Sequence, residues 1–121
     1  QEVSTLVIQA QSDLYEVRKM IHKIGFFIEN EKFCMDAGKP YLVMRAVRGE
    51  EKTPYEPAEY EYGRLLPEVS DTAYRKFLLD ERDKKMKLQE TLNMQKTSGA
   101  GARVEELTEE ITGLNWILNK F

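Results

Sequence analysis

The sequence predicts an α/β protein. A strand, a helix and an antiparallel hairpin form a small open sheet, and a long antiparallel helical arm follows. Three observations predict this class. The apolar spacing changes from strand-like to helix-like between Thr5 and Gly25, two β-rich runs flank a turn at Asp36 to Lys39, and the last third of the chain has helical periodicity.

Size and charge narrow the classes of protein. The chain has 121 residues, 41% apolar and 32% charged, which suits one modest domain with or without an extension. No run approaches the roughly 20 apolar residues that span a bilayer, and no signal peptide is visible. The net charge of −3 does not by itself indicate nucleic-acid binding. Such binding would require a local cluster of basic residues.

The first elements are a short strand and an amphipathic helix. Three consecutive apolar residues, Leu6 to Ile8, predict a buried strand. Asp13 and Glu16 have the spacing of a capping box, and Gly25 is placed to end the helix. The apolar residues that recur at helical spacing are Leu14, Val17, Ile21 and Ile24.

The carboxyl end of this strand is the first candidate site. In open α/β sheets ligands bind beyond the carboxyl ends of the strands, where Gln9, Ala10, Gln11 and Ser12 would lie. The alternative is that these side chains only cap the helix and face water, as polar residues after strands commonly do.

A β-hairpin is predicted to complete the α/β domain, residues 1–48. The runs Phe26 to Met35 and Pro40 to Val47 flank a short turn in which Gly38 is the expected positive-φ residue. The second run is apolar at nearly every position up to Arg45, which predicts a strand covered on both faces.

Residues 49–69 are predicted to be an exposed connector, because Pro54, Pro57 and several glutamates interrupt any periodicity. Within it, Tyr62 to Pro67 is expected to dock on the sheet.

Residues 70–121 form the predicted arm. One helix begins at Ser70 or Asp71 and runs to about Lys96, and a flexible reversal spans Thr97 to Gly101. The second helix carries apolar residues in steps of three and four, which is the seam of a coiled-coil hairpin. These seam residues are Val104, Leu107, Ile111, Leu114, Leu118 and Phe121.

Common catalytic and metal-binding motifs do not occur in the sequence. It has no glycine-rich phosphate loop, HExxH, GxSxG or zinc spacing. The single cysteine, Cys34, excludes an internal disulfide and is predicted to be a small buried or half-buried hydrophobe. The only histidine, His22, is predicted to be a partly exposed structural residue.

The first arm helix is locally basic. From residue 72 to residue 96, seven cations against four carboxylates give a local charge of +3. The alternative to a phosphate-binding surface is a solvated helix with i,i+4 pairs such as Asp80 with Lys84 and Glu81 with Lys85. The candidate phosphate-binding residues are Arg75, Lys76, Arg82, Lys84, Lys85 and Lys87, and Lys96 is the seventh cation.

The order of these elements resembles a known enzyme family, the bacterial tRNA methyltransferases that modify N1 of adenine-22. In that family a strand ends in a Leu-Gln-Pro-Asn type motif, the next strand starts with Gly-Trp/Phe-x-Ile, and a Glu-Asp-Gly-Lys-x-Tyr turn follows. A Phe-Gly-Pro segment then leads into a helical arm. The corresponding segments here are Ile8-Gln9-Ala10-Gln11, Gly25-Phe26-Phe27-Ile28, Met35-Asp36-Ala37-Gly38-Lys39-Pro40-Tyr41 and Tyr62-Gly63-Arg64-Leu65-Leu66.

The resemblance implies a Rossmann-like, class I methyltransferase that uses S-adenosylmethionine on tRNA in the cytoplasm. It implies that Gln9 and Gln11 border the substrate-base pocket and that the six arm cations contact RNA. The family's Pro and Asn are Ala10 and Gln11 here. The family's cofactor-binding half would precede Gln1, so the chain is expected to be a carboxyl-terminal part that binds no cofactor and is inactive alone.

Two alternatives compete with this interpretation. A non-catalytic interaction module would use the coiled-coil hairpin, with Trp116 and Ile117 beside its seam, for docking or homodimerisation. Homodimerisation is expected either through this hairpin or through the open edge of the first strand, which would pair with a second copy. A methyltransferase of small molecules would leave the arm without a role.

Overall fold

The computed structural model describes residues 3–69, 71–95 and 99–121. Within these residues the predicted order of strand, helix, hairpin and two long helices is confirmed. The elements are β1 (Thr5–Ala10), α1 (Leu14–Lys23), β2 (Phe26–Asp36), β3 (Lys39–Arg48), α2 (Pro57–Tyr62), α3 (Leu65–Glu68), α4 (Thr72–Gln95) and α5 (Ala100–Leu118).

The three strands form one sheet in the order β1-β3-β2. β3 lies in the middle and is antiparallel to both neighbours. β1 and β2 therefore run in the same direction, and α1 makes the crossover connection between them.

The helices cover only one face of this sheet, so two predictions about the strands are wrong. β1 alternates between half-buried and exposed positions, and Val7 is 70% exposed. In β3, Leu42 and Met44 are buried, whereas Arg45 faces away from the core and is exposed. Consecutive apolar residues do not reveal which face of a strand the helices cover.

α1 ends as predicted but begins differently. Gly25 has φ 86° and its N–H donates to the carbonyl of His22, which ends the helix. Asp13 sits in the left-handed region at φ 56° and its side chain makes no capping hydrogen bond, so the predicted capping box is wrong. Ile24 is also exposed rather than part of the buried stripe.

The hairpin turn has two residues, Ala37 and Gly38, with φ angles of 50° and 78°. The positive φ predicted for Gly38 is confirmed, and Ala37 shares it. Two successive positive-φ residues are the signature of a type I′ turn, which matches the twist of the flanking strands.

The predicted connector is not irregular throughout, because it contains α2 and α3. At the start of α2, Glu56 and Glu59 form a reciprocal capping box around Pro57. The predicted docking of the following segment is confirmed, since Leu66 is fully buried in the core.

The two long helices pack antiparallel. Asp71 caps α4, since its carboxylate accepts the N–H of Tyr74 at 2.8 Å. Ser70 and residues 96–98 lie outside the described residues. Ala100 and Gly101 are helical, so the predicted reversal is wrong there. Hydrogen bonds from Arg82 to Asn115, Lys85 to Glu110 and Gln89 to Thr108 join the helices.

The seam of α5 is covered within the chain. Leu107 and Leu114 are fully buried and Leu118 is 9% exposed. Leu114 and Leu118 belong to the same core cluster as Met44 and Leu66, and so do Tyr74 and Leu78 of α4. The base of the arm is therefore part of the globular core.

Candidate functional site

The two candidate glutamines follow one another closely in sequence but lie on different sides of the sheet. Gln9 is an exposed residue of β1 opposite Val43, on the uncovered face. Gln11 follows the end of β1 and lines a cavity of about 50 Å³ on the helix-covered side. Of the two glutamines, only Gln11 therefore lines this cavity.

This cavity, called the strand-end cavity below, has mainly apolar walls. Its walls are formed by Ala10, Gln11, Leu14, Phe33, Pro40, Tyr41, Leu42, Tyr74 and Phe77. The ring of Phe33 lies 5.0 Å from that of Tyr74 and 5.2 Å from that of Phe77, between centroids. The cavity thus joins the end of β1 to the first turns of α4.

Tyr74 is fixed at the back of the strand-end cavity. It is 2% exposed, and its hydroxyl donates to the carbonyl of Tyr62 at 2.8 Å. Burial raises the pKa of the Tyr74 hydroxyl, so it remains protonated and can serve as this donor.

A buried ion pair holds α2 against α1 and β2. The guanidinium of Arg18 donates to one carboxylate oxygen of Glu31 at 2.8 and 3.0 Å, and both side chains are fully buried. The same guanidinium donates to the carbonyls of Tyr60 and Glu61 at 2.7 and 3.0 Å. A Cβ at Gly63 would lie 2.8 Å from the other oxygen of Glu31.

His22 is a structural residue, as predicted. Its Nδ1 lies 2.8 Å from the hydroxyl of Tyr60, and its ring meets Tyr55 edge to face. Burial lowers the pKa of His22, opposed in part by Glu51. Cys34, which is half-buried, points to the uncovered sheet face by its register opposite Tyr41 and is not paired with His22.

The six candidate cations do not form a single stripe along α4. At about 100° per residue, Arg75 and Arg82 share one side of the helix, and Lys76 and Lys87 share another. Lys85 faces α5 and pairs with Glu110 at 2.7 Å.

The ion pairs of α4 differ from those expected. Lys76 pairs with Asp80 at 3.2 Å and Lys84 with Glu81 at 3.6 Å. The predicted pairs of Asp80 with Lys84 and Glu81 with Lys85 are wrong. Asp80 and Glu81 pair instead with other lysines of α4, and Lys85 pairs with a residue of α5. Sequence spacing alone does not show which of the possible partners lies closest.

The described residues do not fit an S-adenosylmethionine site. The turn between β1 and α1 has Asp13, not glycine, at its positive φ, and no glycine lies between Ala10 and Ile24. A glycine-rich strand-to-helix turn is what lets a nucleotide approach the backbone. Within residues 3–69, 71–95 and 99–121, no group of three or more His, Cys, Asp or Glu side chains is placed to hold a metal ion.

Comparison with known proteins identifies the family. The family model of tRNA (adenine(22)-N(1))-methyltransferase, TrmK, matches residues 1–115. The chain belongs to this family. The resemblance to its carboxyl-terminal part that the sequence predicted is thereby supported. No curated protein matches the sequence significantly.

Solved structures of TrmK proteins share the fold. The M1A22 tRNA methyltransferase TrmK of Bacillus subtilis has a TM-score of 0.79 at 18% identity, covering 94% of this chain and 51% of that one. Streptococcus pneumoniae Sp1610, a putative tRNA (m1A22) methyltransferase, has a TM-score of 0.76 at 21% identity, covering 96% and 50%.

An uncharacterized protein of Listeria monocytogenes has a TM-score of 0.87 at 17% identity, covering 96% of this chain and 51% of that one. The chain therefore spans about half the length of these solved proteins. None of the described helices combines the length and apolarity that a membrane crossing requires.

Sequence reasoning missed several residues of this region. The sequence pattern did not single out Arg18, Glu31, Phe33 or Phe77 as residues of a site. The sequence did hold one signal for α2, because Glu56-Pro57-Ala58-Glu59 has capping-box spacing with proline at the first helical position.

Proposed function

We propose that this chain is the RNA-facing, carboxyl-terminal part of a cytoplasmic tRNA methyltransferase that modifies N1 of an adenine with S-adenosylmethionine. The family match over residues 1–115 carries the proposal. Sp1610 has been solved in complex with S-adenosyl-L-methionine, and a TrmK of M. capricolum with S-adenosyl-homocysteine. The methyl donor would be held by residues outside the described part of the chain.

The residues of this chain would serve the RNA. Gln9 and Gln11 are the residues proposed to border the pocket for the substrate base. Gln11 does so from the strand-end cavity, whereas Gln9 lies on the uncovered sheet face and does not line that cavity. The arm contacts phosphates, which positions an RNA by its shape and charge rather than by its sequence. Arg75 and Lys87 are the best placed for this, since within the described residues neither an ion pair nor a hydrogen bond engages their side chains, whereas Arg82 donates to a side chain of α5.

Binding of tRNA to the chain tests the RNA-facing role. We expect affinity, measured by fluorescence anisotropy, to fall steeply between 50 and 200 mM salt. The double variant Arg75→Glu/Lys87→Glu should weaken binding and reduce the slope of log K against log salt by about 2. Lys23→Glu/Lys52→Glu, which reverses two exposed lysines outside the arm, is the charge-matched control. An equal loss in the control would contradict a specific role for the arm.

Methyl transfer tests the enzymatic part of the proposal. We expect this chain alone to incorporate no label from tritiated S-adenosylmethionine into tRNA. The product of the complete reading frame should incorporate label and block reverse transcription at one adenine, because an N1 methyl group prevents base pairing. Labelling at another position or in another substrate would overturn it.

A coiled-coil interaction module is not favoured. Its seam residues Leu107, Leu114 and Leu118 are buried inside this chain and offer no surface to a partner. Ile117, expected beside the seam, is 1% exposed, and Trp116 is 36% exposed beneath Lys120. The open edge of β1 is the place proposed for a second copy.

A further inference from the structure

We propose that the strand-end cavity binds the edge of the target adenine, with Phe33 and Phe77 as the stacking surface and Gln11 as the residue that distinguishes adenine from guanine. This inference rests on the proposed function and assigns residues to its substrate base. The observation behind it is a small, partly open apolar cavity between the end of β1 and the first turns of α4.

The shape of the cavity suits part of a base. A volume of about 50 Å³ holds one edge of a purine and not the whole ring. An apolar recess of this kind excludes water, so a base that is taken out of its stack exchanges one flat apolar contact for another. The rest of the base would lie at the mouth, where Gln11 is exposed.

The aromatic rings divide into a fixed one and two available ones. Tyr74 is 2% exposed and its hydroxyl is engaged by Tyr62. Phe33 and Phe77 are half-buried, and both line the cavity. Aromatic side chains are the usual stacking partners of splayed RNA bases.

The amide of Gln11 supplies the selectivity. A glutamine amide pairs with adenine by donating to N7 and accepting from N6. This contact leaves N1, the atom to be modified, unblocked. Guanine carries an acceptor, O6, in place of the N6 donor of adenine. The amide oxygen of Gln11 would therefore face O6, and neither of these two oxygens can donate a hydrogen bond.

The position of Phe77 couples base and phosphate binding. Phe77 and Arg75 lie in the first two turns of α4, one half-buried at the cavity and the other exposed. An RNA whose phosphates lie along this part of the arm brings its neighbouring base to the cavity mouth.

Fluorine NMR of the chain labelled with 4-fluorophenylalanine tests this inference, because the chain has five phenylalanines. The ligands are adenosine 5′-monophosphate and an RNA stem-loop with one unpaired adenine or, in the control RNA, guanine. We expect the Phe33 and Phe77 signals to shift with both adenine ligands. Phe27, on the opposite sheet face, should not shift.

Variants sharpen the test. Phe77→Leu keeps an apolar side chain without a ring and should weaken binding of the adenine RNA at least fivefold. Gln11→Ala should remove most of the preference for adenine over guanine. Phe27→Leu is the matched control and should change neither, and the fluorine spectrum of each free variant shows that it is folded.

The outcomes separate this inference from the proposed function. RNA binding without adenine preference and without shifts at Phe33 and Phe77 would overturn the cavity and leave the RNA-facing role. Shifts with the monophosphate but no binding of either RNA would support the cavity and contradict the RNA-facing role. No response to any ligand would overturn both.

Discussion

At the scale of single residues, Arg18 is the side chain on which the most contacts depend. It is fully buried and joins α1 to β2 through Glu31 and to α2 through two carbonyls. Arg18→Met should destabilise the fold by about 3–5 kcal/mol, because it leaves a buried carboxylate without its partner. Urea unfolding followed by circular dichroism measures this loss.

A second variant separates the ion pair from the carbonyl contacts. Arg18→Met/Glu31→Leu removes both charges and should recover most of the stability, though not all, because two carbonyls remain without a donor. Arg45→Met breaks the exposed pair with Glu29 and should cost less than about 1 kcal/mol. A similar cost for the buried and the exposed pair would contradict the role of Arg18.

His22 should make stability depend on pH below its ordinary pKa. Burial lowers the pKa of His22 in the folded chain, with Glu51 opposing and Arg64 adding to the shift. The unfolded chain therefore takes up this proton first, at about pH 6.5. Stability from His22 is fully present above that pH and is lost as the pH falls towards the folded pKa.

The measurement is the urea midpoint at pH 7.5, 6.5 and 5.5. We expect the midpoint to fall across the last interval in the natural chain and to change less in His22→Gln. The pKa values of Glu59 and Glu110 are lowered from an ordinary 4.5. The loss of stability that their protonation causes therefore occurs at a lower pH than the measured range of 5.5 to 7.5. An identical slope in His22→Gln would show that another group titrates.

Sequence reasoning could not foresee these residues, because their partners are distant along the chain. Arg18 binds carbonyls that lie 42 and 43 residues later, and Glu31 lies 13 residues away. Helical periodicity placed Arg18 on α1. It could not show that Arg18 would contact Tyr60 and Glu61, because these residues lie in the segment that was predicted to be an exposed connector.

At the scale of elements, the hairpin turn is open to improvement. Ala37 adopts φ 50°, a left-handed conformation that costs an alanine roughly 1 kcal/mol. Ala37→Asn should stabilise the protein by about 0.5–1 kcal/mol, because Asn-Gly is the preferred type I′ pair. Thermal unfolding by calorimetry measures the change.

Gly38→Ala is the control for the turn. Its φ is 78°, and an added Cβ would meet nothing within 4 Å, so its effect is conformational alone. It should destabilise by about 1 kcal/mol, opposite in sign to Ala37→Asn. A gain from both substitutions would mean that the turn is not held in this conformation.

Element order was predictable and element environment was not. Apolar period and turn residues located α1, the hairpin and both arm helices, and Asp71 was correctly among the predicted caps. The same pattern could not show that Val7 is 70% exposed or that Leu114 packs in the central core. The spacing of apolar residues shows which residues share one face of a helix or strand. Tertiary packing decides what covers that face.

At the scale of the whole molecule, the candidate site combines residues that are far apart in the sequence. Gln11 was predicted to lie near a ligand from the general behaviour of strand ends. Phe77, some 66 positions later, joins it only because α4 packs its first turns against the sheet. Long-range contacts of this kind leave no signal in local sequence pattern.

The open edge of β1 gives the last prediction. The N–H of Arg48 donates to the carbonyl of Ser4, so the backbone groups of Leu6, Ile8 and Ala10 face β3 in the antiparallel pattern. Those of Val7 then point outward and pair with no other strand among the described residues. We expect the chain to self-associate through this edge at high concentration, as sedimentation velocity would show.

Val7→Pro tests the edge directly. Proline at this position removes only an outward N–H, so it should abolish self-association while the chain stays folded. Ile8→Pro is the matched control, because it removes a donor that pairs with β3 and should instead destabilise the fold. Self-association that persists in a folded Val7→Pro chain would place the contact elsewhere, with the exposed distal part of α4 the next surface to vary.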